Sequence, residues 1–110
     1  LPLVSSIGFG KQGEWFNVNA DDAAVAVAAN LDADLLFMTD VDGVLDSEGQ
    51  LIEQLDSRSI DALTKSGVIR DGMLVKVRGA LNAAKRLRRC VRIGSWNLMN
   101  QTHSGTQISE

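Results

Sequence analysis

Short and long apolar runs alternate along this chain. Leu1, Leu3, Val4, Ile7 and Phe9 form a brief apolar stretch punctuated by Gly8 and Gly10, which predicts a buried strand over residues 1–9. After a glycine-containing turn, residues 15–19 (Trp-Phe-Asn-Val-Asn) resume an extended path. Ala20, Ala23, Ala24, Val27, Ala28 and Leu31 then recur at helical spacing. That is a narrow stripe of small side chains, and it predicts a helix lying close against a sheet. Leu35, Leu36, Phe37 and Met38 make a continuous run of strand length, expected to be buried on both faces. Asp46-Ser47-Glu48-Gly49 signals a turn, with Leu51 and Ile52 as a short hairpin partner. Asp56 or Ser57 should cap a helix reaching Lys65, with Ile60 and Leu63 inward and Gly67 as its stop. A loop over 68–73 leads to a third helix, 74–88, whose inward stripe is Leu74, Val77, Leu81, Ala84 and Leu87. Residues 90–93 and 105–108 read as two more strands. The strand–helix–strand order predicts an α/β fold with a mainly parallel sheet sandwiched by helices. A strand starting almost at residue 1 also suggests entry in the middle of a larger fold.

Composition narrows the class. The 110 residues, 45% hydrophobic and 23% charged, are those of an ordinary globular domain. No apolar run approaches the roughly 18 residues a membrane-spanning helix needs, and nothing at the start resembles a signal peptide. A single cysteine, Cys90, allows no internal disulfide and fits a reducing, cytoplasmic setting. Its place in a predicted strand suggests a small core hydrophobe. The net charge of −3 conceals an asymmetry: residues 1–64 carry 12 acids against two bases, and residues 65–110 carry nine bases against two acids. Five of those nine bases lie between Lys85 and Arg92, at a helix end, where cations suit the dipole. Few aromatics interleave with them, which argues against nucleic acid as a partner.

Candidate chemistry lies in three places. Asn17 and Asn19, one residue apart on an extended segment, would point the same way with Val18 turned inward. Asn19 or Asp21 can cap the following helix, whose start favours an anion. The bland reading is capping alone. Second, Asp40, Val41, Asp42, Gly43, Val44 and Leu45 leave the end of a predicted strand, where open α/β folds bind ligands. Third, Lys76 lies near a predicted helix start, the end where a lysine is least welcome. This conflict implies an anionic partner, either Asp21 or a ligand phosphate. His103, alone in a polar stretch, reads as a solvated loop residue. No residue is singled out as a metal ligand.

Three segments together resemble the amino acid kinase family, and within it the branch acting on N-acetyl-L-glutamate. They are Asn17-Val18-Asn19-Ala20-Asp21 with Ala23-Ala24, Thr39-Asp40-Val41-Asp42-Gly43-Val44-Leu45, and Gly67-Val68-Ile69-Arg70-Asp71-Gly72-Met73-Leu74-Val75-Lys76-Val77. Arg92-Ile93-Gly94-Ser95-Trp96 extends the likeness over almost the whole chain. The resemblance implies phosphoryl transfer from ATP, with Mg²⁺, to the side-chain carboxylate of N-acetyl-L-glutamate, a step of arginine biosynthesis. It implies that Asn17 and Asn19 hold the acyl amino acid and that Asp21 orients catalytic lysines. Lys76 would stabilise charge on the transferring phosphoryl group. Residues 40–45 together with Val68, Ile69 and Arg70 would bind the nucleotide. These residue types suit a reaction that needs positioning and charge neutralisation.

There are two departures. The family's amino-terminal half has no counterpart, including a glycine-rich phosphate loop, a second lysine, a substrate-binding arginine and most of a dimer surface. Residues 1–110 would then be the nucleotide-binding carboxy-terminal domain of a parent that forms homodimers, with no appreciable kinase activity by itself. The segment 96–105 is also shorter than the family's, which puts a last helix and final strand in question. Two alternatives remain open: another family member acting on glutamate or aspartate, and a non-catalytic module sensing nucleotide or amino acid. Against the first, Asn17-Val18-Asn19 replaces an acidic or serine-rich pattern.

Overall fold

A computed structural model describes residues 1–101 and 103–110 of the chain. They divide into two compact units, Leu1–Ala33 and Asp34–Glu110.

In the first unit, β1 (Ile7–Phe9) and β2 (Trp15–Asn17) form an antiparallel pair with Phe9 opposite Trp15 and Ile7 opposite Asn17. The strand expected over 1–9 is only its last three residues, with one further bond from the Val18 N–H to the Ser6 carbonyl at 2.8 Å. It is not buried, since Ile7 and Phe9 are exposed in a pair that has no further strand beside it in this unit. Gly10 and Gly13 close the turn, the Gly10 N–H donating to the Glu14 carbonyl at 2.8 Å. The Phe9 and Trp15 rings meet at 4.2 Å. Helix α1 (Ala20–Leu31) begins at the Asn19 cap and ends at Asp32 in the left-handed region. Its buried side chains are Val25 and Ala28, while Val27 and Leu31 are exposed. The predicted stripe is therefore rotated, since every position from 23 to 29 is Ala or Val and the periodicity selects no face.

In the second unit, four strands form a sheet in the order β3-β5-β6-β4: β3 (Leu35–Met38), β4 (Gln54–Leu55), β5 (Val91–Gly94) and β6 (Thr106–Ile108). The pairs β3–β5 and β4–β6 are parallel and β5–β6 is antiparallel, so the fold is α/β with a mostly parallel sheet, as expected. The chain crosses from β4 to β5 through α2 (Ser57–Lys65) and α3 (Asp71–Leu87). Asp56 caps α2, its carboxylate accepting from the Ser59 N–H at 2.7 Å.

The core lies where α3 packs on β5 and β6. Val77, Ala80, Ala83 and Ala84 are buried on the helix, and Val91, Ile93 and Ile108 on the sheet. Burial of each large aliphatic contributes roughly 1.5–3 kcal/mol, and the alanines let the helix approach closely. Leu74, Leu81 and Leu87 are half-buried beside this seam. In β3 only Leu35 is fully buried: the strand lies at the edge of the four-stranded sheet, and one of its faces stays accessible. Cys90 is also not a core residue. It precedes β5 and is exposed, because Arg88 turns the chain in the left-handed region before the strand begins. Its sulfur accepts from Gln107 Nε2 at 3.3 Å. Past β5, residues Trp96–Met99 form a 3₁₀ turn that buries Leu98. The final strand forms despite the short connection. Gly105, at φ 78°, permits this, since a Cβ there would lie 2.5 Å from the Ile93 carbonyl oxygen.

Candidate functional site

Strands β3 and β5 run parallel in register from Leu35–Val91 to Met38–Gly94. The loops that follow both strands therefore leave one edge of the sheet, the position at which α/β folds bind ligands. Thr39 opens the first loop, its N–H donating to the Gly94 carbonyl at 2.8 Å. Its hydroxyl is a relay. The Lys76 ammonium donates to Thr39 Oγ1, and that hydroxyl donates to Asp40 Oδ1 at 3.0 Å. The Asp40 carboxyl is held below its ordinary value of 3.8, chiefly by the Thr39 hydrogen bond, then by its own backbone N–H and the Lys76 charge. Asp40 and Lys76 are both exposed, so their attraction is screened and adds little to stability.

The sequence points to Asp21 or a ligand phosphate as the partner of Lys76; within this unit the acid that Lys76 reaches, through Thr39, is Asp40. The conflict with the helix dipole is milder than the sequence implied. Helix α3 starts at Asp71 rather than residue 74, which leaves Lys76 beyond the first turn and supplies an acid there.

The rest of the loop is pinned from below. Asp42 Oδ1 accepts from the Ser95 hydroxyl at 2.6 Å and from Asn97 Nδ2 at 3.4 Å, which ties the loop to the turn that follows β5. Gly43 has φ 152°, and a Cβ there would lie 2.6 Å from Leu51 Cδ1 and 2.7 Å from Thr106 Oγ1. Only a glycine lets the backbone descend that far. Val44 is buried, and its N–H donates to Thr106 Oγ1 at 2.8 Å. Leu45 bridges Leu51 in an antiparallel hairpin, as predicted. Asp42, Ser95, Asn97 and Ser104 are among the residues lining a cleft of about 190 Å³. That is below the roughly 300 Å³ at which ligand pockets begin, so the cleft could serve only as part of a larger site. Val68, Ile69 and Arg70 join α2 to α3. Ile69 is buried and its N–H donates to the Leu63 carbonyl at 3.1 Å, whereas Arg70 is exposed.

In the first unit, Asn17 closes β2 opposite Ile7. Asn19 is the helix cap: its Oδ1 accepts from the Asp22 N–H at 3.1 Å, and its amide nitrogen can still donate to a ligand. Asp21 lies in the first turn of α1, and all three residues are exposed. His103 is exposed in a turn, where its carbonyl accepts from Arg92.

Three residues escaped the sequence reading as site components: Thr39, Ser95 and Thr106. Thr39 and Ser95 stand in segments already singled out. For Thr106 the only signal is a hydroxyl at an inward position of a strand, on the same face as Ile108.

Among the described residues, no group of three or more His, Cys, Asp or Glu side chains could hold a metal ion.

A mostly parallel sheet, with a pinned loop at its strand ends and a lysine aimed at that loop, defines an α/β domain with a candidate anion site. The model of the amino acid kinase family matches residues 1–95, and the chain belongs to that family. Among curated proteins it is similar to the acetylglutamate kinase of Aliivibrio fischeri, 57% identical over 95 residues, covering 86% of this chain and 36% of that protein. The acetylglutamate kinase of Proteus mirabilis is 48% identical over 115 residues, covering 98% of this chain and 45% of that protein. The chain therefore spans less than half the length of these relatives. Among solved structures, smu.665 from Streptococcus mutans UA159 superposes with a TM-score of 0.71 at 36% identity, covering 94% of this chain and 40% of that one.

Proposed function

We propose that this chain is the nucleotide-binding part of an enzyme that phosphorylates the side-chain carboxylate of N-acetyl-L-glutamate with ATP, a step of arginine biosynthesis. The observation that carries the reading is the Lys76–Thr39–Asp40 relay at the strand ends, beside the loop pinned at Gly43. The acetylglutamate kinase relatives favour N-acetyl-L-glutamate as acceptor over free glutamate or aspartate.

In this reaction a carboxylate oxygen of the acceptor attacks the γ-phosphorus, and the bond to the β,γ-bridging oxygen breaks. ADP leaves with that electron pair, and an acyl phosphate forms. Residues 40–45 and 68–70 bind the nucleotide, and Mg²⁺ accompanies its phosphates. Lys76 meets the charge that gathers on the transferring group. The family resemblance assigns Asn17 and Asn19 to the acceptor and Asp21 to the orientation of catalytic lysines. Further acceptor contacts and a dimer surface would come from the portion of the relatives that this chain does not span, so turnover by the chain alone should be negligible. A lone thiol, Cys90, suits a cytoplasmic setting.

Calorimetry with ATP tests this reading. Binding by the wild-type chain is expected to require magnesium and to weaken about tenfold in Lys76→Ala, the scale of one charge-assisted hydrogen bond to phosphate. Binding that is indifferent to Lys76 would remove it from the site.

A further inference from the structure

The Thr106 hydroxyl is fully buried and has two partners far away in the chain. It accepts from the Val44 N–H at 2.8 Å and donates to the Ile52 carbonyl at 2.7 Å. Val44 and Ile52 are themselves joined, the Ile52 N–H donating to the Val44 carbonyl at 2.8 Å. One hydroxyl therefore fastens both arms of the hairpin that leaves the site. Thr106 itself is fixed, being paired with Ile93 in the β5–β6 ladder. Directly before Val44, the Gly43 backbone lies so low over β6 that an added Cβ would stand 3.1 Å from the Thr106 nitrogen and closer still to its hydroxyl. The height of residues 43–45 above the ends of β3 and β5 is thus set by β6.

We infer that Thr106 is a positioning residue for the nucleotide. Through the Val44 N–H and the Ile52 carbonyl, its hydroxyl holds the 40–45 loop in its binding shape before ligand arrives. The inference rests on the nucleotide reading of that loop and adds the cause of its order. A preformed loop spares the ligand the entropy of fixing it. Thr106 touches no ligand itself. A threonine that served stability alone would change the folded fraction and leave the affinity of folded molecules unchanged.

The test is calorimetry of ATP with magnesium on the 110-residue chain for wild type, Thr106→Ser and Thr106→Val, with amide exchange on the same samples. Serine keeps the hydroxyl, and its affinity should stay within about threefold of wild type. Valine removes it, with both of its hydrogen bonds, and should weaken binding about tenfold or more, the scale of a buried polar group left without its partner. The Val44 amide should then exchange freely while those of α2 and α3 stay protected. Wild-type binding with Thr106→Val folded and within twofold of it would overturn the role of Thr106 alone. So would a folded Thr106→Ser that loses tenfold. If Thr106→Val does not fold, the wild-type chain still decides, because a Val44 amide exchanging as fast as an open loop without nucleotide overturns the inference. Absence of ATP binding by the wild type would overturn the nucleotide reading and this role together.

Discussion

Arg88 shows how a single residue's backbone bears on stability. It ends α3 with φ 53°, its N–H donating to the Ala84 carbonyl. A left-handed L-residue costs roughly 1–2 kcal/mol, and glycine escapes this at an entropic cost of about 0.5–1 kcal/mol. Helix α2 is followed by a glycine in the same region, Gly67 at φ 78°. Arg88→Gly is therefore expected to stabilise the chain by about 0.5 kcal/mol, read as a higher urea midpoint with an unchanged slope. The loss of one cation at the helix end is softened by Lys85 and Arg86, which remain in the last turn. The left-handed turn at Arg88 also explains Cys90. Composition marks a lone cysteine beside apolar residues as a core candidate, but only the φ of residue 88 decides that it falls outside β5. Asn19 and Asp21 were equally plausible caps in the sequence, and the Asp22 N–H selects Asn19.

Helix α2 carries a pH dependence that can be worked out from its cap. Asp56 Oδ1 accepts from both the Ser59 N–H and the Ser59 hydroxyl at 2.7 Å. These bonds, the backbone one foremost, lower its pKa from the ordinary 3.8. A carboxylate whose folded pKa is depressed stabilises the fold fully above its unfolded value. That contribution is lost as pH falls through 3.8 and on through the lower folded value. Asp56→Asn keeps an accepting oxygen and removes the proton. Its acid-denaturation curve should be flatter than wild type below about pH 4 and nearly coincident near neutrality. Identical acid limbs for the two proteins would mean that Asp56 does not contribute to the acid response. Elements such as α2 were legible because caps, stripe and stop agree: Asp56, Ile60 and Gly67. Helix α1 was legible in extent but not in facing, since a run of Ala and Val carries no direction. The start of α3 was missed because Gly72 looks like loop chemistry, and Asp71 enters the helix through a left-handed φ of 51°. The site's segments could be picked out as short motifs around Asp40, Asp42, Gly43 and Lys76. Their supports could not, because Thr106 bonds to an amide 62 positions away, and no local pattern encodes such a pair.

On the scale of the whole chain, the two units differ in how much apolar surface each hides. Among the described residues, the buried apolar side chains of positions 1–33 are Val25 and Ala28. The second unit buries Val44, Leu55, Ile60, Ile69, Val77, Val91, Ile93, Leu98 and Ile108 along with others. In the first unit, Leu3, Val4, Phe9, Trp15 and Phe16 are exposed, and a two-stranded pair by itself is at best marginal in water. Each buried aliphatic adds roughly 1.5–3 kcal/mol against unfolding, so opening the pair should cost far less than opening the four-stranded sheet. Native-state amide exchange is expected to resolve two levels. The amides of Gly8 and Phe16, which bond across the pair, should exchange through local opening that depends little on denaturant. Those of Val91, Ile93 and Ile108 should exchange only through an opening with a steep denaturant slope, since that event exposes the large core. One shared exchange free energy and slope across both sets would instead mean that residues 1–33 unfold cooperatively with the sheet. The first unit would then draw its stability from that coupling rather than from its own few buried side chains.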